Sequence, residues 1–262
     1  MPDSLSGWLD YIESRHPRTI ALGLERVAEV SRALKQSKRS VVITVGGTNG
    51  KGSVCAMLER ILLCAGYRVG LYTSPHFLRY NERVRVNGAA VGDDELCQGF
   101  AAVEAARGTV PLTYFEYGTL AAWEVFGRHA LDVAILEVGL GGRLDAVNIY
   151  ESDCAIVTAV DLDHMGFLGD DREQIGFEKA GIFRSGKPAI CGDANPPASL
   201  LSHAETIGAE LKLLTRDFGF VHQEQQWQFW SWLGKRSGIA HPALRGGMQL
   251  GNAATPLAVL DA

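Results

Sequence analysis

The sequence predicts an α/β fold: a mostly parallel sheet with helices on both faces, plus a small antiparallel β element near residues 216–235. Three observations predict it. Continuous apolar runs at Val41–Val45, Val133–Val138 and Ala155–Val160 are separated by helical patterns, as expected of parallel strands covered on both faces. The first of these runs feeds a glycine-rich turn that opens an apolar-periodic helix. From Phe218 to Leu233 the pattern changes to an aromatic-rich alternation that suggests a hairpin-like pair of strands.

Taken in order, Leu5, Trp8, Leu9 and Ile12 recur at helical spacing over residues 4–16, and Pro17 interrupts them. Ile20 to Leu34 carries a second helical pattern. After Val41–Val45, the segment VCAMLERILLCAG reads as a helix, and Arg68–Tyr72 reads as the next strand. NERVRVNG at residues 81–88 alternates and closes on Asn-Gly, a turn signal for a strand near the sheet margin. Asp93 is placed to cap a helix running to about Arg107, and a further helix is expected over about Tyr117–Phe126. Shorter strands are expected at Ser185–Cys191 and Leu211–Leu214, around a Pro- and Ala-rich stretch near Pro196–Ile207. Trp227, Trp230 and Trp232 form a half-buried β patch rather than a stacking platform for bases, because no basic residues interleave closely. The chain closes with the start of a helix, LGNAATPLAVLDA.

The turn after Val41–Val45 carries the chemistry. Gly46, Gly47 and Gly50 free the backbone to turn its N–H groups toward a polyanion, Lys51 adds a point charge and the helix start adds its dipole. This makes the sheet one of the P-loop type, with a variant spacing. Val45 stands where the first glycine of a Walker A loop belongs, and Gly52 separates Lys51 from Ser53.

Other polar residues fall at the C-terminal ends of the predicted strands, where an open α/β sheet places its ligand crevice. They are Ser74 and His76 after the second strand, Glu137 and Asp145 after the third, and Asp161, Asp163 and His164 after the fourth. A carboxylate closing an apolar strand is costly to bury alone, so Glu137 requires a cation or strong hydrogen-bond donors. Arg143 is one candidate, and Mg²⁺, which takes oxygen ligands beside nucleotide phosphates, is the better one. His164 follows a strand in DHMGFLG, although imidazole is an unusual Mg²⁺ ligand. Lys179 lies among Ile175, Phe177, Ile182 and Phe183. An amine in such surroundings is more easily neutral and able to react with CO₂ to form a carbamate, a new anionic metal ligand.

Bulk properties narrow the function. A formal charge of -5, with no Lys/Arg run, gives no footprint for a nucleic-acid backbone or an anionic membrane. The five cysteines form no CxxC pair and read as reduced thiols, and no stretch of apolar residues is long enough to span a bilayer. These features predict a cytoplasmic protein that handles small molecules.

GTNGKGS, LYTSPHFLRYNERVRVNG, LTYFEYGTLAA, LEVGLGGRLDAVN, DHMGFLG and EKAGIF together resemble the folate branch of the Mur-ligase superfamily, the folylpolyglutamate and dihydrofolate synthases. The resemblance runs from about residue 7 to the end of the chain. It implies an ATP-dependent amide ligase joining L-glutamate to dihydropteroate, and to folates, through an acyl phosphate. Thr48, Asn49, Gly50, Lys51, Gly52, Ser53 and Asn252 match its ATP-binding positions. Ser74, Glu137 and His164 match its Mg²⁺ positions, with two ions expected, and Lys179 matches its carbamylated lysine. Lys51, Glu137, His164 and Lys179 thus form the implied catalytic set. Thr113, Tyr114, Phe115 and Glu116, with Leu144, Asp145 and Ala146, match the pterin-contacting segments, and Thr19–Leu22 lies in a stretch found beside that pocket.

Members of that family carry a further C-terminal Rossmann-like domain. The resemblance therefore implies that residues 1–250 form the ATPase and substrate domain, that residues 251–262 begin the hinge, and that the missing domain impairs activity. A monomer is expected. Another P-loop NTPase or kinase, and a non-catalytic nucleotide- or pterin-binding module, are the alternatives.

Overall fold

The computed structural model describes residues 1–15, 20–36, 40–244 and 246–262. Pro17 and Thr19 therefore lie outside the described residues. In chain order the first elements are α1 (Leu5–Glu13), α2 (Glu25–Ala33), β1 (Val41–Gly46), α3 (Lys51–Cys64), β2 (Val69–Tyr72), β3 (Val84–Val86), β4 (Ala89–Ala90), α4 (Asp93–Arg107), α5 (Tyr114–Arg128) and β5 (Val133–Glu137). They continue with β6 (Cys154–Val157), α6 (Met165–Leu168), α7 (Arg172–Ala180), β7 (Pro188–Cys191), α8 (Ala198–Ile207), β8 (Glu210–Leu213), β9 (Gly219–His222), β10 (Trp227–Ser231), β11 (Gly234–Ile239) and α9 (Gln249–Asp261). Single 3-10 turns occupy Tyr80–Arg83 and Ala146–Ile149.

Two compact units emerge. The first comprises residues 1–42, 59–139 and 144–151, the second residues 43–58, 140–143 and 152–262. In the first, β2 runs parallel to β5 and antiparallel to β3, which pairs antiparallel with β4. In the second, β1, β6, β7 and β8 pair successively in parallel, and β9, β10 and β11 form a separate antiparallel sheet. The mostly parallel α/β architecture expected from the apolar runs is the one observed. Every residue of β5 and β6 is buried, each large aliphatic side chain contributing about 1.5–3 kcal/mol. In α5, Tyr117, Leu120, Ala121 and Val125 are at most 1% exposed, so this helix is core almost all round.

Several boundaries differ from expectation for local reasons. α5 begins at Tyr114 rather than Tyr117 because Thr113 is its N-cap, and Glu116 completes a reciprocal capping box. α4 is preceded by Gly92 as N-cap, so Asp93 occupies the first turn, where its charge meets the helix dipole rather than capping. α3 starts at Lys51, ahead of the apolar run, and α2 starts at Glu25. The fourth strand stops at Val157; just beyond it Thr158 N bonds Gly46 O at the end of β1, and Ala159 O accepts from Thr48 N in the loop that follows. Pro196 and Pro197 obscured α8, although proline just before a helix is well tolerated. The aromatic element is three strands rather than a hairpin. Trp227 is 2% exposed and donates its indole N–H to Ala240 O at 3.0 Å, a packed rather than a base-stacking residue. Among the described residues no helix is long and apolar enough to cross a membrane.

Candidate functional site

In the second unit, β1 delivers the chain into the loop that opens α3, and this loop is stitched to the segment after β6. Thr158 N donates to Gly46 O at 2.9 Å and Thr48 N to Ala159 O at 2.7 Å. Thr158 Oγ1 donates to Asn49 O at 2.6 Å. The Thr48 hydroxyl donates to Asp161 O at 3.1 Å and accepts from Asp161 N at 3.0 Å. Gly47 and Gly50 hold φ values of +140° and +87°. A β-carbon on Gly47 would stand 1.9 Å from Thr158 Oγ1, and one on Gly50 would stand 2.6 Å from Asn252 Oδ1, so neither position admits a side chain. The result is a fixed concave backbone at a helix N-terminus, the arrangement that binds phosphate.

Lys51, the first residue of α3, folds its ammonium back over this loop, donating to Gly47 O at 2.9 Å and Thr48 O at 3.3 Å. Lys179, on α7, is 2% exposed. Burial is the main cause that lowers its pKa from 10.5 to about 8; the charge of Lys51 lowers it further and Asp163 opposes both. Two lysines and an acid are thus electrostatically coupled within one unit. His164 caps α6 in a left-handed conformation with φ +47°, its side chain half exposed and its Nε2 3.6 Å from Asp163 Oδ1. Asn252 sits in the first turn of α9, where its amide reaches the loop at Gly50 and also donates to Gln249 Oε1 at 3.3 Å. Sequence reasoning missed Thr158; its signal was a hydroxyl at the end of a buried apolar run.

The first unit assembles the remaining candidates. Glu137 ends β5 at 4% exposure, and its Oε2 accepts from Ser74 N at 3.2 Å. Arg143, in the second unit, pairs with Glu178 at 2.7 Å. The segments matched to pterin contacts converge. Arg26 joins Glu116 Oε1 at 2.9 Å and Ala21 O at 2.7 Å, and Gly23 N donates to Leu144 O at 3.3 Å. Thr113 N donates to Glu116 Oε2 at 2.7 Å. Asp145 is 3% exposed and accepts from Gly139 N at 3.1 Å and Val147 N at 3.0 Å. A β-carbon on Gly139 would meet Phe115 Cζ at 2.7 Å, which brings the Phe115 ring onto the same backbone.

Thr113, Glu116 and Asp145 are thus engaged in caps and turns. Tyr114, Phe115 and Leu144 are half-buried, and Ala146 is buried. Arg26, which joins two of these stretches through Glu116 and Ala21, carried no local signal in the sequence.

A glycine-shaped phosphate loop with a lysine at a helix start, at the end of a parallel strand, defines a P-loop nucleotide-binding α/β protein. Residues 45–254 match the Mur ligase middle domain, and the chain belongs to the Mur ligase family. It is 49% identical over 259 residues to the dihydrofolate synthase/folylpolyglutamate synthase of Escherichia coli (strain K12), a match covering 98% of this chain and 60% of that protein. The enzyme of the same name from Haemophilus influenzae is 46% identical, with 98% of this chain and 58% of that protein covered. The chain thus spans about 60% of the length of the first of these relatives. Among solved structures, E. coli FolC in complex with DHPP and ADP superposes with a TM-score of 0.96 at 48% identity, covering 100% of this chain and 63% of that one. A bifunctional folylpolyglutamate synthase/dihydrofolate synthase with Mn, AMPPNP and L-glutamate bound gives a TM-score of 0.91 at 48% identity, covering 99% and 62%.

Proposed function

We propose that this chain is the nucleotide- and pterin-binding portion of an ATP-dependent ligase that joins L-glutamate to dihydropteroate, and to folates, through an acyl-phosphate intermediate. The observation that carries this is the loop of residues 46–53, in which Gly47 and Gly50 admit no side chain and Lys51 leans over the backbone cradle. Relatives of the same fold are described with ADP, AMPPNP, DHPP and L-glutamate.

The chemistry assigns each group a task. N–H groups of residues 48–53 and the Lys51 ammonium hold the triphosphate and neutralise charge that develops on the γ-phosphoryl group. Asn252 contributes to holding the nucleotide. A carboxylate oxygen of the pteroate attacks the γ-phosphorus and ADP leaves; the amine of glutamate then attacks the acyl carbon, and phosphate departs as the amide forms. No nucleophilic side chain is required. Tyr114, Phe115 and Leu144 offer the pterin a surface that Thr113, Glu116, Asp145 and Ala146 shape.

Divalent cations suit the donors present. Within the first unit Ser74 and Glu137 offer hard oxygen donors, and within the second a carbamylated Lys179 would offer two more, with the His164 imidazole as a nitrogen donor. Few protein ligands are needed, since Mg²⁺ keeps waters and phosphate oxygens. Two Mg²⁺ ions, when bound, would neutralise phosphate charge. Residues 1–250 are read as the ATPase and substrate portion and residues 251–262 as the beginning of a hinge. The protein acts as a cytoplasmic monomer on small molecules, without nucleic-acid or membrane partners.

The test is titration of the chain with ATP·Mg²⁺ and with dihydropteroate, followed by phosphate release. Binding of both that is lost for ATP alone in Lys51→Ala is expected, with phosphate release requiring dihydropteroate and glutamate together. Release with ATP alone would assign a simple NTPase instead. Binding without amide formation, even with the remaining domain of a relative added in trans, would assign a non-catalytic module.

A further inference from the structure

α9 is fastened at its far end in an unexpected way. Asp261, its last residue, has a side chain only 2% exposed. It lies where the helix carbonyls concentrate negative charge, so a buried carboxylate there is costly unless donors surround it. They do. Ser231 Oγ donates to Asp261 Oδ2 at 2.5 Å, and Arg236 donates through both terminal guanidinium nitrogens, Nη1 at 3.2 Å. Ser231 itself accepts from Leu233 N at 3.2 Å, and the Arg236 guanidinium lies 5.4 Å from the centre of the buried Phe229 ring. Ser231 ends β10 and Arg236 belongs to β11, so one carboxylate ties the β10–β11 hairpin to the helix.

The opposite end of α9 carries Asn252 against Gly50. Thr255, 1% exposed, packs nearby, since a β-carbon on Gly192 would stand 2.7 Å from Thr255 Oγ1. Between the two ends is Pro256, which lacks the N–H that would bond the Asn252 carbonyl four residues back. The loss is one rung only, and α9 runs on unbroken from Gln249 to Asp261, so fixing its last turn restrains its first along the helix axis. Nine residues of helix separate Asn252 from Asp261, about 14 Å.

Resting on the nucleotide-binding function proposed above, we infer that Asp261, held by Ser231 and Arg236, is a positioning residue for the nucleoside triphosphate. The clamp fixes α9 along its axis and so keeps the Asn252 amide seated at the phosphate loop. Directional charge-assisted hydrogen bonds do this where apolar packing would allow the helix to slide.

Asp261→Asn and Ser231→Ala, each in the whole chain, test the assignment by titration with ATP·Mg²⁺ and by hydrogen–deuterium exchange of residues 46–53. Expected are ATP binding weakened by about fivefold or more, within the usual span of coupling between sites, and faster exchange in the loop. Asp261→Asn should add nothing further in an Asn252→Ala background. Lower thermal stability with unchanged affinity and unchanged loop exchange overturns the inference, as does an equal loss of affinity with and without Asn252. If Asp261→Asn does not fold, Ser231→Ala, which removes one hydrogen bond, carries the same comparison. Should the wild-type chain bind no ATP, the proposed function fails separately, and the exchange measurement still decides the clamp: faster exchange supports it and unchanged exchange refutes it.

Discussion

Asn252 occupies the space that a side chain on Gly50 would need: a β-carbon there would stand 2.6 Å from Asn252 Oδ1, on a backbone already at φ +87°. The phosphate loop and the first turn of α9 are therefore shaped to each other. Gly50→Ala is expected to cost about 1–3 kcal/mol of stability and to weaken ATP binding at least about tenfold. Gly52, a helical position in α3, has nothing within 4 Å of its own β-carbon position, so Gly52→Ala should cost no stability and gain up to about 1 kcal/mol. Thermal melts and ATP titrations of the two variants check this, and equal losses of stability would contradict it.

The buried carboxylate of Glu116 depends on Arg26. At 4% side-chain exposure it faces an arginine that is 26% exposed, and the same guanidinium holds Ala21 O. Arg26→Ala leaves Glu116 without its cation and is expected to cost about 3 kcal/mol, with weaker dihydropteroate binding as the Ala21 and Thr113 segments separate. Adding Glu116→Gln should recover part of the stability, because a glutamine still completes the capping box and buries no charge. Urea unfolding of the single and double variants decides it; a double variant no more stable than Arg26→Ala would refute the argument.

The parts of this molecule that were legible in the sequence are those whose physics is local. A buried parallel strand must be apolar throughout and a phosphate loop must be rich in glycine, so β1, β5, β6 and the loop before Lys51 were readable from single segments. The start of α5 was equally present as Thr113 and Glu116, but those residues were assigned to ligand contact alone, which displaced the helix to Tyr117. Contacts between distant residues were not legible. Arg26 and Glu116 are 90 positions apart, and Thr158 lies 109 positions from Asn49; no pattern in either segment marks the other. The fall in the Lys179 pKa could be anticipated from its apolar neighbours, whereas the contribution of Lys51 could not.

Glu104 gives the fold a predictable response to acid. Tyr11 donates to it at 2.8 Å, Arg107 donates from Nε at 2.7 Å and Nη2 at 2.8 Å, and the Tyr117 hydroxyl bonds the same carboxylate. Burial pushes its pKa up, but the hydrogen bonds from Arg107, Tyr117 and Tyr11 outweigh burial and bring it from 4.5 down to about 2. A carboxylate depressed on folding stabilises the protein above its unfolded pKa, and that contribution is lost as pH falls from about 4.5 toward 2. Allowing for solvent screening, about 1–2 kcal/mol is at stake. The stability gap between wild type and Glu104→Gln should therefore narrow between pH 7 and pH 3 in urea unfolding, and a constant gap would count against this network.

Lys179 is expected to take up CO₂. With its pKa brought to about 8, about a tenth of the amine is neutral at pH 7, against about one part in three thousand for an ordinary lysine at 10.5. The neutral nitrogen attacks the carbon of CO₂, a C–N bond forms, and a proton is released to leave an anionic carbamate. Burial sets most of the pKa shift, yet its two charged neighbours allow the sign to be tested. Asp163 raises the pKa, so Asp163→Asn should enlarge the neutral fraction and the carbamate at pH 7; Lys51 lowers it, so Lys51→Ala should diminish both. The chain equilibrated with ¹³C-bicarbonate is read by ¹³C NMR, with Lys179→Arg as the blank. A carbamate signal absent from Lys179→Arg and moving in opposite directions in the two neighbouring variants is the expected result. A signal that persists in Lys179→Arg, or that responds to neither neighbour, would place the modification elsewhere or remove it from this lysine.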